Sequence, residues 1–144
     1  MSDQDYPGVT RGEGWAAAEL DDIGEGYGFR KLRKALDVQA FGINALVLPP
    51  GLATGKHYHE EQEETYIVIA GRFVIEFGDG QSHELGPGGA VRVNAETVRG
   101  IRNPSETDDL VYVCAGGKGG YVGRDGVLPP GEDRGVSPIP PSSS

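Results

Sequence analysis

The chain has 144 residues, a formal net charge of −9 and one cysteine, Cys114. That length suits a single domain with a real hydrophobic core, and a lone cysteine excludes any disulfide within the chain. The acidic balance gives phosphates no cationic surface and so excludes nucleic acid as a partner, the absence of any run of about 18 apolar residues excludes a membrane span, and the polar start lacks the form of a signal peptide, so a soluble, cytoplasmic protein is expected.

The 24 glycines are more than twice the usual ~7% share. They lie without a fixed period between short apolar runs, which predicts many tight turns and an all-β sandwich or barrel. Residues 1–27 read as an N-terminal arm. Within it, Gly14 to Leu20, around Trp15-Ala16-Ala17-Ala18, predicts a short helix docked through Trp15, too short to stand alone. Phe29 to Leu36 carries the densest basic run, Arg30-Lys31-Leu32-Arg33-Lys34, and reads as a solvated edge strand.

Phe41 to Leu48 is rich in strand formers and is ended by Pro49-Pro50-Gly51. Thr65 to Ala70 is apolar on both faces and predicts a central strand, returned by Phe73 to Phe77 after a turn at Gly71-Arg72. Gln81 to Leu85, Ala90 to Val93 and Val98 to Asn103 predict three further strands between turns. Leu110 to Ala115 predicts another interior strand. Gly116 to Gly120 reads as a flexible break, after which Tyr121-Val122 could rejoin the sheet. The domain is therefore placed at residues 28–127, followed by a Pro/Ser-rich tail at 128–144 that cannot build a core. Eight or more short strands suit a barrel whose mouth takes one small ligand.

The chemistry concentrates in one segment. Residues two apart in a strand share a face, so His57 and His59 point the same way. A turn through Glu60 to Glu63 brings Glu64 to the start of the next strand, facing the same interior. Two imidazoles and a carboxylate suit a first-row divalent metal. The bland alternative is a structural histidine pair beside a surface acidic run. That run would explain the glutamates but not two of the chain's three histidines at strand spacing.

The same residues carry a resemblance. Gly51, five residues, His57-Tyr58-His59, four residues, Glu64, six residues and Gly71 match every fixed position of the first signature of the cupin superfamily. The family's second signature is a glycine, then Pro-x-Gly, a histidine and an asparagine. It aligns in register with Gly88, Asn94-Ala95-Glu96, Arg99 and Asn103. Asn94, Glu96 and Arg99 stand where the family has proline, glycine and histidine. The resemblance implies a cupin double-stranded β-helix, a jelly-roll barrel, and a homodimer with its contact near Phe29 to Leu36. It also implies a divalent transition metal (Fe, Mn, Ni or Zn) on His57, His59 and Glu64. The expected activity is that of a metal-dependent oxygenase or isomerase acting on a small anionic molecule. The alternative is a non-catalytic binding or sensing module.

Arg99 cannot replace the missing fourth ligand, because its guanidinium has no lone pair. Three readings are open. Arg99 binds an anionic substrate beside the metal; or it replaces the metal by pairing with Glu64; or it turns outward to a surface acid. Tyr66 shares the parity of Glu64 and is expected to line the pocket. His83 could face inward or be exposed beside its turn. Cys114 reads as an inert buried thiol. Gly86-Pro87-Gly88-Gly89 is a turn and not a phosphate loop, since no Lys-Ser/Thr follows.

Overall fold

A computed structural model describes residues 6–123 and 125–129. Twelve strands are formed among the described residues: β1 (Thr10–Gly12), β2 (Trp15–Ala17), β3 (Gly28–Arg30), β4 (Gly42–Leu48), β5 (Tyr58–His59), β6 (Glu63–Ala70), β7 (Phe73–Phe77), β8 (Ser82–Leu85), β9 (Ala90–Val93), β10 (Arg99–Arg102), β11 (Leu110–Gly117) and β12 (Gly126–Val127). The only α-helix among those residues is the single turn α1 (Leu32–Leu36). No helix there is long and apolar enough to cross a membrane.

Two antiparallel sheets face each other, one of five strands in the order β3-β4-β11-β6-β9 and one of three in the order β10-β7-β8. This is the expected all-β jelly-roll barrel. The sequence period decides which side chains meet inside. On β6 the even positions Tyr66 and Val68 are buried while Ile67 and Ile69 are exposed, the alternation of a sheet with one covered face. Leu46, Leu48, Leu110 and Tyr112 add to that inner face, and Phe73, Ile75 and Ile101 meet them from the smaller sheet. Phe73 and Tyr112 pack edge-to-face at 5.3 Å, a favoured aromatic geometry.

Gly71 closes the β6–β7 turn at φ +85°, and a β-carbon there would run into the Asp109 carbonyl oxygen. Left-handed backbone and a steric block add, so Gly71→Ala is expected to cost about 1–3 kcal/mol in urea unfolding. The asparagine of the second signature also has a structural task. Asn103 is fully buried; its amide donates to the carbonyls of Leu48 and Asp108, and its oxygen accepts from the Ser105 N–H.

Two expectations are corrected. Gly14 to Leu20 is not a helix. Gly14, at φ +83°, completes a two-residue turn with Glu13, and β1 pairs with β2 at Gly12↔Trp15. Such a turn sets a hairpin more strongly than three alanines set a helix. Trp15 is exposed, and Ile23 is the buried residue of this region. Likewise, Phe29 to Leu36 is an edge strand only over its first residues. Leu32 and Ala35, three apart, then fall on one face of α1 and pack with Ile23 on Ala45, on the outer face of β4. Arg30 of the basic run is buried rather than solvated. Tyr6, Val9, Ala18 and Leu20 cover the same cluster, so the described part of the arm is docked on the barrel. The tail beyond Pro129 lies outside the described residues.

Candidate metal and ligand site

Four elements carry the site. His57 is held by paired backbone hydrogen bonds with Arg99, each 2.8 Å. The N–H of His59, two residues on, donates to the Ala95 carbonyl at 2.8 Å. Glu64 and Tyr66 sit two apart on β6, and Cys114 on β11 stands in register opposite Tyr66. The parity reading of the sequence therefore places His57, His59 and Glu64 together. Each offers a ligand atom within 4.8 Å of the others. The two imidazoles meet edge-on at 5.0 Å.

Glu64 is the hub. Its Oε1 accepts from the Tyr66 hydroxyl at 2.7 Å and from an Arg99 terminal nitrogen at 2.9 Å. Its Oε2 accepts from the Cys114 thiol at 3.2 Å. Burial alone would raise the Glu64 pKa, but His57, His59 and Arg99 outweigh it and hold the carboxyl well below its usual range. The same carboxylate, together with burial, pushes the Tyr66 and Cys114 pKa values well up. Both groups keep their protons and act as donors. Cys114 thus keeps the unreactive, protonated form expected of it, and is in addition a hydrogen-bond partner of the site. Its register opposite Tyr66 was the signal.

Arg99 points inward with no exposed surface. This removes the reading in which it turns outward to a surface acid. Its Nε donates to the Tyr66 hydroxyl at 3.3 Å, one terminal nitrogen to Glu64, and the other to the carbonyls of Thr97 at 2.7 Å and Ala95 at 3.1 Å. A side chain so fully engaged acts first on Glu64. It keeps the carboxylate charged and in place.

His57 forms the outer lip of the site, 27% exposed, with its Nε2 3.9 Å from Glu64 Oε1. His59 is only 2% exposed. Its buried Nε2 faces Glu64 Oε1 at 3.0 Å, with no hydrogen bond assigned to it. Its Nδ1 lies 2.7 Å from Asp125 Oδ1. Burial lowers the His59 pKa, but Glu64 and Asp125 reverse the effect and the net shift is upward. Asp125 was missed from the sequence. It lies 66 residues from His59, just before β12, which pairs with β5. Tyr121-Val122, expected to rejoin the sheet, form no strand; the return comes at Gly126–Val127. His83 is exposed on β8.

These residues fit a metal. Two imidazoles and a carboxylate are a donor set for first-row divalent ions. A buried ring nitrogen with no hydrogen-bond partner is costly unless something else uses its lone pair.

The family model of the cupin domain matches residues 45–116, a span that holds both signatures. A search of curated protein sequences finds no match. Among solved structures, a cupin protein from Bacteroides fragilis is 24% identical over 73% of this chain and 90% of its own, with a TM-score of 0.57. A sugar phosphate isomerase of the cupin superfamily from Silicibacter pomeroyi is 24% identical over 74% of this chain and 60% of its own, with a TM-score of 0.52. A DMSP lyase from Ruegeria pomeroyi is 20% identical over 62% of this chain and 43% of its own, also at 0.52. At these identities the likeness is one of fold, and the match spans less than two thirds of the isomerase and of the lyase.

Proposed function

The chain belongs to the cupin superfamily, and from that premise we propose that His57, His59 and Glu64 bind a divalent transition metal (Fe, Mn, Ni or Zn) at which a small anionic molecule is converted, in the manner of an oxygenase or isomerase. The observation that carries this reading is the buried Nε2 of His59, to which no hydrogen bond is assigned although it faces Glu64 Oε1 at 3.0 Å, beside a second imidazole and a carboxylate already ionised. Such an ion supplies Lewis-acid or redox chemistry when bound.

The chain's own residues explain why the ligand should be an anion. Arg99 already balances the charge of Glu64 at 2.9 Å. A divalent ion on this trio would then carry positive charge that the surrounding site leaves unbalanced. In a partly buried pocket that favours an anion as the remaining partner. Arg99 contributes to that attraction through its charge, while its donors stay on Glu64, Tyr66 and the backbone. Partly exposed His57 lies on the solvent side, where such a molecule would enter. Tyr66 and Cys114, kept protonated, hold Glu64 from behind.

Elemental analysis of protein purified without added metal tests this. Near-stoichiometric metal in the wild type, lost in His57→Ala, is the expected result; little metal in both would defeat it. The same experiment bears on the fourth position. Arg99→His would supply a lone pair where Arg99 has none and is expected to tighten metal binding about tenfold or more, roughly 1.4 kcal/mol, in a competition titration.

A second reading rests on the Arg99–Glu64 pair itself. The pair fills and neutralises the site without a metal, as a non-catalytic small-molecule binding or sensing module would use it. Metal-free protein stabilised in thermal shift by small carboxylates, and not by metals, would favour this reading. A homodimer belongs to the proposal too. β3 lies at the edge of its sheet, and Ile67 and Ile69 are exposed on the outer face. Sedimentation of the wild type checks it, with a monomer at micromolar concentration as the contrary result.

A further inference from the structure

We infer that Asp125 is a positioning residue that sets the tautomer of His59, and that the segment 125–127 is in this way a working part of the site. The inference rests on the metal reading above for its consequence, but not for its geometry.

The Asp125 side chain is 9% exposed and its carboxylate is crowded with donors. Oδ2 accepts from the backbone N–H groups of Glu61 at 2.7 Å and Gln62 at 2.9 Å. Oδ1 accepts from the Gln62 side-chain amide at 2.6 Å and faces His59 Nδ1 at 2.7 Å. With so many donors the group is an ionised carboxylate, which can only accept. An unprotonated Nδ1 at that distance would set two lone pairs against each other. Nδ1 therefore carries a proton. The other ring nitrogen, Nε2, also faces a carboxylate, 3.0 Å from Glu64 Oε1, but that oxygen already accepts from Tyr66 and Arg99, so when His59 is neutral it is Nδ1 that keeps the proton and Nε2 that offers its lone pair. The Gln62 amide nitrogen also lies 3.2 Å from Nδ1; one of its two hydrogens goes to Asp125, and the other is a competing donor at a longer distance than the carboxylate.

The backbone adds to this. β12 pairs with β5 at Gly126↔His59 and Val127↔Tyr58, and the Glu60 N–H donates to the Asp125 carbonyl at 3.2 Å. One residue near the end of the described chain thus holds the turn between the two parts of the His-x-His…Glu motif and fixes the direction of its most buried imidazole. A carboxylate behind a metal-binding histidine orients the ring and raises its basicity, and its removal costs 10–100-fold in metal affinity in comparable sites.

The test uses Asp125→Asn and Asp125→Ala in the full chain, with two readouts. The first is nitrogen-15 NMR of the histidine rings in metal-free protein, at a pH where His59 is neutral. The second is cobalt affinity by competition titration. Wild type is expected to show the Nδ1–H form. In Asp125→Asn the side-chain oxygen keeps accepting from the turn while the amide donates to Nδ1, so His59 is expected to switch to the Nε2–H form. Both variants are expected to bind cobalt about 10–100-fold more weakly. Asp125→Asn guards against the chance that Asp125→Ala simply frays the turn. An Nδ1–H tautomer unchanged in Asp125→Asn would overturn the inference, and so would an Nε2–H form in wild type. If the wild type takes up no cobalt, the metal reading fails, and the tautomer readout still decides the role of Asp125.

Discussion

Arg99→Met is expected to lower folding stability by about 3–5 kcal/mol, the usual cost of removing one partner of a buried ion pair. The side chain has no exposed surface and is the largest among the fully buried ones. Truncating its charge strands the Glu64 carboxylate beside two tyrosine- and cysteine-derived donors, and leaves the carbonyls of Ala95 and Thr97 without their partner. A domain of this size has roughly 5–15 kcal/mol of stability in all, so the loss is a large share. Urea unfolding measures it as a shift in midpoint at an unchanged slope. The double variant Arg99→Met with Glu64→Gln is expected to recover much of the loss, because no unpaired charge then remains buried. A single-variant loss under about 1 kcal/mol would mean that the pair is solvated and the pocket open at Arg99.

His57→Ala is expected to do the reverse: weaken metal binding by more than about 100-fold while leaving stability within about 1 kcal/mol. Even an outer partner of a metal ligand is worth 10–100-fold, so loss of a direct ligand must exceed that. The small stability effect follows from its surroundings. His57 is partly exposed, its ring makes only long polar contacts, 3.4 Å to the Gly55 carbonyl and 3.9 Å to Glu64, besides its edge-on packing with His59, and its backbone pairing with Arg99 does not need the imidazole. Cobalt titration and urea unfolding of one preparation report both quantities. Equal cobalt affinity in wild type and variant would place the ion elsewhere. His59→Ala would be a poorer choice, because it would also strand Asp125 and Gln62.

Both expectations trace to how much of the site is local in sequence. The face shared by His57 and His59, and the return of Glu64 to it, depend only on the period of two and one turn. They were legible from spacing. The register of the second signature was legible as well, and it placed Arg99 at the histidine position. What Arg99 does there was not. Choosing between an anion, Glu64 and the surface requires knowing that the carbonyls of Asn94, Ala95 and Thr97 and the Tyr66 hydroxyl surround it. Asp125 was further out of reach. It acts across 66 residues through a two-residue strand that follows a glycine-rich stretch, with no periodicity to mark it. Similar limits apply to the arm. Alanine runs favour helix only when long enough to nucleate one, whereas the turn at Glu13-Gly14 decides the matter over a few residues. In α1 the apolar spacing of Leu32 and Ala35 was hidden by the flanking basic residues.

The barrel supplies a rigid frame, and the altered second signature changes what the frame holds. Arg99 supplies a permanent cation instead of a fourth ligand, and Glu64 serves both it and the two histidines. Metal binding at such a site depends on the charge of Glu64 being shared rather than consumed. The most direct test is a crystal structure of protein soaked in a divalent metal, with diffraction recorded at that metal's absorption edge. A single anomalous peak bounded by the Nε2 atoms of His57 and His59 and an oxygen of Glu64, with Arg99 still on Glu64, is the expected result. A featureless site, with the ion bound only at surface carboxylates, would contradict it.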